Sequence, residues 1–144
     1  NGCLNPNLLD QMLEMAIDSG GCVKFDLKAW DRSLHTAVTG IDNQRTLDNF
    51  GRATEKIAQR PVPPLLVAST LLVPGYVGPA EVAAIAGFIA GLNADIPYSL
   101  LAFSPQFFMH DLPLTSKEQA HECLHAAQDS GLNNVHLGNE HLLA

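Results

Sequence analysis

Apolar residues recur at helical spacing early in the chain, through Leu8, Leu9, Met12, Leu13, Met15 and Ala16. Asn5-Pro6 opens this run as N-cap and first helical residue, and Gly20-Gly21 closes it. The pattern then changes to alternation over Cys22 to Leu27, the signature of a strand. A polar link follows, rich in Asp31, Thr39, Gly40, Asp42 and Asn43, before helical periodicity returns from Arg45 to Gln59. Pro61, Pro63 and Pro64 end that helix, and Leu65 to Val73 reads as a strand buried on both faces. Beyond Pro74-Gly75 a third helix runs from Pro79 to about Gly91, and Pro97 to Phe103 is another strand. A long loop over Ser104 to Thr115 precedes a helix from Ser116 to Ser130, and Asn134 to Leu137 is a short last strand.

This order is a helix followed by about three strand–helix units, which predicts an α/β fold with parallel strands and right-handed crossovers. The pattern fits a partial (β/α) barrel, and equally a small open sheet. Residues 1–144 suit a single domain that buries roughly 70% of its unfolded surface. A net charge of −7 with no Lys/Arg run argues against nucleic acid and anionic membrane as partners. The apolar runs are broken by Pro and Gly well before membrane-spanning length. Cys3, Cys22 and Cys123 form an odd, widely spaced set, poor as a disulfide framework or metal site, which points to a reducing cytoplasm. No secretory signal opens the sequence, and a start on Asn suggests a cut from a longer polypeptide.

Alternation places Lys24, Asp26 and Lys28 on one strand face and Val23, Phe25 and Leu27 on the other. Charges in the middle of a sheet need a polar lumen or a ligand, whereas an edge strand would simply expose them. His121-Glu122-Cys123-Leu124-His125 spells the zinc-hydrolase motif HExxH. Ala120, Cys123, Leu124 and Ala127 form that helix's apolar stripe, however, so both histidines are expected on a solvated face. His35, His110, His136 and His141 are scattered and read as surface or loop residues. Asp42, Asn43 and Arg45 read first as turn and cap chemistry, and Trp30 and Arg32 follow the charged strand.

Five segments, in order, carry a family resemblance. Phe25-Asp26-Leu27-Lys28-Ala29 resembles the "DLK" strand of pyruvate formate-lyase activating enzymes, which belong to the radical S-adenosylmethionine family. Val38 to Leu47 resembles the family's "TGVDNxRxL" link, and Val73-Pro74-Gly75 its "VPG" strand end. Phe103-Ser104-Pro105 through Asp111 to Thr115, with Leu137-Gly138-Asn139, resembles the "FHPxxxMxDxPPT…LGN" ending of the AmmeMemoRadiSam branch. Asn1-Gly2 looks like the tail of the family's "TNG".

The resemblance implies the C-terminal half of a radical S-adenosylmethionine (β/α)6-type barrel, without the N-terminal cluster-binding half. It implies that Lys28 meets the cofactor's carboxylate, and that Asp26 faces its ribose, a nearby cation or its sulfonium region. It implies also that the backbone at Pro74 and Gly75 approaches the adenine. Ser104 stands where many relatives carry a cofactor-contacting His, and a hydroxyl cannot become cationic. The implied parent is an oxidoreductase whose 4Fe–4S cluster, held by CxxxCxxC, cleaves S-adenosylmethionine to a 5′-deoxyadenosyl radical that abstracts hydrogen from a substrate. A glycyl-radical protein is the family's best-known target. No CxxxCxxC occurs here, and the glycine-rich "GGE" strand is missing too. No catalytic or metal-ligating residue is therefore assigned to this chain, which is expected to be inactive alone. A non-catalytic binding or assembly module is the alternative. Half a barrel, with two open strand edges, is also expected to self-associate.

Overall fold

The computed structural model describes residues 2–144. Four parallel strands form one sheet: β1 (Val23–Asp26), β2 (Leu66–Leu72), β3 (Tyr98–Ala102) and β4 (Val135–Gly138), in the order β1-β2-β3-β4. Helix α1 (Pro6–Ser19) precedes the sheet; α2 (Arg32–Thr39) and α3 (Gln44–Thr54) link β1 to β2. Helices α4 (Pro79–Leu92) and α5 (Lys117–Asp129) make the next two crossovers.

Sequential strand order resolves the choice that periodicity left open. Right-handed crossovers between consecutive neighbours all place their helices on one side of a sheet. An open doubly wound sheet instead reverses its order at a switch point and is covered on both sides. Burial follows the first pattern. Phe25, Leu66, Ala68, Leu72, Tyr98, Leu100 and Ala102 face the helices and are buried, whereas Lys24, Val67, Leu71, Ser99, Leu101 and His136 on the other face are half-buried or exposed. The architecture is thus a section of a (β/α) barrel, with helices outside and an open inner wall. The β2 strand departs in part from the expectation of burial on both faces: on the inner wall Val67 and Leu71 are half-buried, while Ser69 between them is fully buried.

Local chemistry explains the helix ends. The Asn5 side chain accepts a hydrogen bond from the Asn7 N–H, Pro6 fills the first turn, and Gly20 takes the left-handed conformation that ends α1. Leu9, Leu13 and Ala16 are its buried stripe. Within the stretch read as a polar link, Asp31 caps Leu34 N–H and Gly40 closes the turn, so the structure holds α2 there. The helix expected over Arg45 to Gln59 is shorter, ending at Thr54 before a 3-10 turn at Ile57–Gln59. At Gly2 a Cβ would come within 2.5 Å of the Phe25 ring and 2.8 Å of Thr46, so only glycine fits. The Asn1 part of the "TNG" likeness lies outside the described residues.

Phe25 meets Phe50 edge-on at 5.3 Å, Phe50 meets Phe88 at 5.8 Å, and Phe88 meets Trp30 at 5.7 Å. This line of rings fastens β1 to α3 and α4. Tyr98 donates to Thr70 Oγ1, and Thr70 Oγ1 donates to the Leu27 carbonyl, so β3, β2 and the residue just past β1 share one buried polar chain. Burial pushes the Tyr98 hydroxyl's pKa well above its usual value, against the hydrogen bond with Thr70.

Candidate functional site

The register sets Asp26 opposite Ser69, Ser69 opposite Ser99, and Ser99 opposite His136. All four project from the open wall, making one polar rung across the sheet. Ser69 Oγ donates to Asp26 Oδ1 at 2.8 Å, and Ser99 Oγ lies 2.8 Å from His136 Nε2. One step toward the strand C-termini, Lys28 Nζ reaches Asp26 Oδ2 at 2.7 Å. Both side chains keep about a third of their surface exposed, 32% for Lys28 and 35% for Asp26. Burial would raise the Asp26 pKa, but hydrogen bonds from Lys28 and Ser69 and the charges of Lys28 and Lys24 outweigh it and hold the carboxyl below its usual range.

The chain just past Lys28 is fastened by side chains from two other helices. Asn43 Nδ2 donates to the Ala29 carbonyl at 3.3 Å and to the Trp30 carbonyl at 2.7 Å. Glu81 Oε2 accepts from Trp30 N–H at 2.6 Å and from Asp31 N–H at 3.1 Å. Asn43 thus works differently from a helix cap: it stands at the start of α3 without a capping hydrogen bond. Asp42 does serve the turn, accepting from Gln44 N–H while pairing with Arg32.

Pro74 and Gly75 form the turn after β2, closed by Val77 N–H to the Val73 carbonyl at 2.9 Å. Gly75 is exposed, with φ at +79° and open space where a Cβ would stand, so backbone conformation favours glycine there. Ser104 borders a separate pocket of about 310 Å³ with Leu71, Ala102, Phe103, Gln106, Asn139 and Leu142. A second pocket, about 250 Å³, lies at the opposite end of the strands around Ile57, Pro64, Leu65, Ile96 and Pro97, away from all of these residues. The structure therefore joins Asp26 to Lys28 directly. Pro74, Gly75 and Ser104 sit on neighbouring strand ends without touching that pair.

Glu81 and Ser69 are important here and carried no sequence signal; Thr115 lies in the segment matched to the "PPT" ending, but that likeness did not give its structural role. Buried Thr115 accepts from Phe103 N–H at 2.7 Å and donates to the Leu72 carbonyl at 2.8 Å, tying the ends of β3 and β2 together. Their partners stand far away in sequence, so only the strand register reveals them. His35 corrects a reading: it is buried, and its Nδ1 lies 2.9 Å from the Ile41 carbonyl. His136 is exposed on β4, in line with a surface residue on the expected last strand.

His121, Glu122 and His125 are exposed on α5, and no group of three potential metal ligands gathers among the described residues. Cys3 lies ahead of α1, Cys22 is exposed before β1, and Cys123 is buried in α5. Burial and the Glu122 charge push the Cys123 thiol up to about 11, away from the thiolate a metal cluster needs. These cysteines do not fit an iron–sulfur cluster. No helix among the described residues is long and apolar enough to cross a membrane.

A section of (β/α) barrel with polar groups on its inner wall is the class the geometry defines. Among solved structures the chain is similar to a domain of pyruvate-formate lyase-activating enzyme from Bacteroides vulgatus, with a TM-score of 0.68 and 19% identity over 93% of this chain and 91% of that one. At that identity the likeness is one of fold. No protein-family profile matches the chain, and no curated protein matches it.

Proposed function

We propose that this chain is the cofactor-facing half of a radical S-adenosylmethionine, activating-enzyme-like oxidoreductase, and that Asp26 and Lys28 are its principal cofactor contacts. The observation carrying this reading is the placement of both residues on the open wall at the C-terminal end of β1. Strand C-terminal ends are where barrels of this kind bind their ligands. An ammonium there, half-exposed and steered by one carboxylate, can turn a donor toward an incoming carboxylate; Lys carries three such donors. Asp26 keeps the ammonium in place and presents its own acceptors to hydroxyls or a cation. The fold likeness to the activating-enzyme domain supports the reading, as does the in-order match of the "DLK" and "VPG" segments.

Bound S-adenosylmethionine, cleaved reductively, supplies a hydrogen-abstracting radical; the 4Fe–4S cluster that drives this would be held by a partner segment. This chain's own residues bind and orient. The exposed Pro74-Gly75 turn offers backbone groups to the adenine, and Ser104 offers a single hydroxyl. A glycyl-radical protein is the substrate class the family likeness suggests, and the cytoplasm is the compartment it suits.

Titration calorimetry with S-adenosylmethionine tests the reading. Wild-type chain is expected to bind, and Lys28→Ala to lose about 1.5–3 kcal/mol, roughly ten- to hundredfold in affinity. Absence of binding to wild type, or identical binding by Lys28→Ala, sinks the assignment and leaves an assembly role for the barrel section.

A further inference from the structure

Glu81 belongs to α4, the helix that follows the Pro74-Gly75 turn, yet its carboxylate is spent entirely on another loop. It accepts the backbone N–H groups of Trp30 and Asp31, the second and third residues past Lys28, which lie 51 and 50 residues upstream in sequence. The same helix touches Trp30 again two turns later, where Phe88 packs on the indole at 5.7 Å. Asn43 then takes the Trp30 carbonyl from the other side. Both backbone polar groups of Trp30 are thereby held by side chains from separate helices. A carboxylate accepting backbone N–H bonds is among the stronger anchors available to a loop. The geometry leaves the β1 end no independent freedom from α4.

We infer that Glu81 is a positioning residue: by seating Trp30 on α4 it fixes Lys28 relative to the Pro74-Gly75 turn, and so sets affinity for a carboxylate-bearing cofactor without touching it. The inference rests on the cofactor reading above. A cofactor held at two places, its carboxylate at Lys28 and its adenine at the Pro74-Gly75 turn, needs those two anchoring points held at one separation, because a displacement of even an ångström forfeits much of a directional bond. Glu81 is the one side chain among the described residues that hydrogen-bonds the β1 loop while belonging to the helix that begins after the β2 turn.

The test compares wild type, Glu81→Ala, Glu81→Gln and Lys28→Ala by calorimetric titration with S-adenosylmethionine, well below each variant's melting temperature. Trp30, the chain's single tryptophan, reports the seat independently through its emission. Glu81→Ala is expected to bind about tenfold more weakly, with Trp30 emission shifted to longer wavelength. Glu81→Gln retains an oxygen able to accept both N–H groups and should stay within about threefold of wild type. A lowered melting temperature with unchanged affinity in Glu81→Ala marks a purely structural clamp and overturns the inference, as does unshifted Trp30 emission. If Lys28→Ala weakens binding while Glu81→Ala does not, the cofactor reading stands and the positioning role falls. Unchanged binding by Lys28→Ala removes both. Should Glu81→Ala not fold by circular dichroism, Glu81→Asp takes its place under the same outcomes, since its carboxylate stops one methylene short of the loop.

Discussion

Asp26 keeps its charge on a half-covered wall because Lys28 and Ser69 both donate to it. Its folded pKa lies below the ordinary 3.8, so between those two values the unfolded chain holds the extra proton. The resulting stability is fully present above about pH 4 and is lost as pH falls through the folded value. Asp10 and Asp42, lowered chiefly by hydrogen bonds from Arg52 and Arg32, act in the same direction. Melting curves at about pH 6 and about pH 3 should show a drop for wild type that is smaller in Asp26→Asn. An equal drop in both would assign the acid sensitivity to the surface pairs. At this scale the sequence was informative about direction and silent about partners. Alternation alone put Asp26 and Lys28 on a common face, whereas Ser69 and Glu81 come from 43 and 51 residues away and depend on register and helix docking.

Elements were legible where several signals agreed. Asn5, Pro6 and Gly20 bracket α1, Ser116 and Gly131 bracket α5, and each capping group does what its chemistry predicts. Helix α2 escaped notice because eight residues hold too few apolar positions to show a period, and because Asp31 and Gly40 look alike as turn or as cap residues. The joints between elements depend on fewer groups than the elements themselves. Thr115→Val removes the hydroxyl shared by Phe103 N–H and the Leu72 carbonyl, and leaving buried backbone groups unpaired costs about 1–3 kcal/mol. Urea unfolding should show that loss with an unchanged slope, and Thr115→Ser should recover most of it. A Thr115→Val protein as stable as wild type would mean that water or a shifted backbone replaces the bond.

The whole molecule presents an unfinished surface. Among the described residues β1 and β4 each pair on one side only, and Val67, Leu71 and Leu101 leave apolar area on the inner wall. Exposed edges and apolar faces favour association. Light scattering across a concentration series is expected to show mass above that of one chain, reduced in Leu101→Lys, which places a charge on the wall. A wild-type monomer at all concentrations would indicate that the wall and edges are already adequately protected. The sequence predicted parallel strands, but whether they belonged to a barrel section or an open sheet hung on lateral order, a property no local window contains.

That lateral order has a consequence in time. Each strand lies beside the one synthesised just before it, with starts at Val23, Leu66, Tyr98 and Val135. Translation at about 5–20 residues per second separates these starts by roughly two to nine seconds, far longer than a helix or hairpin needs to form. Every strand after the first therefore emerges to find its partner waiting. The sheet can grow one strand at a time in the order of synthesis, each new strand docking on an edge already formed.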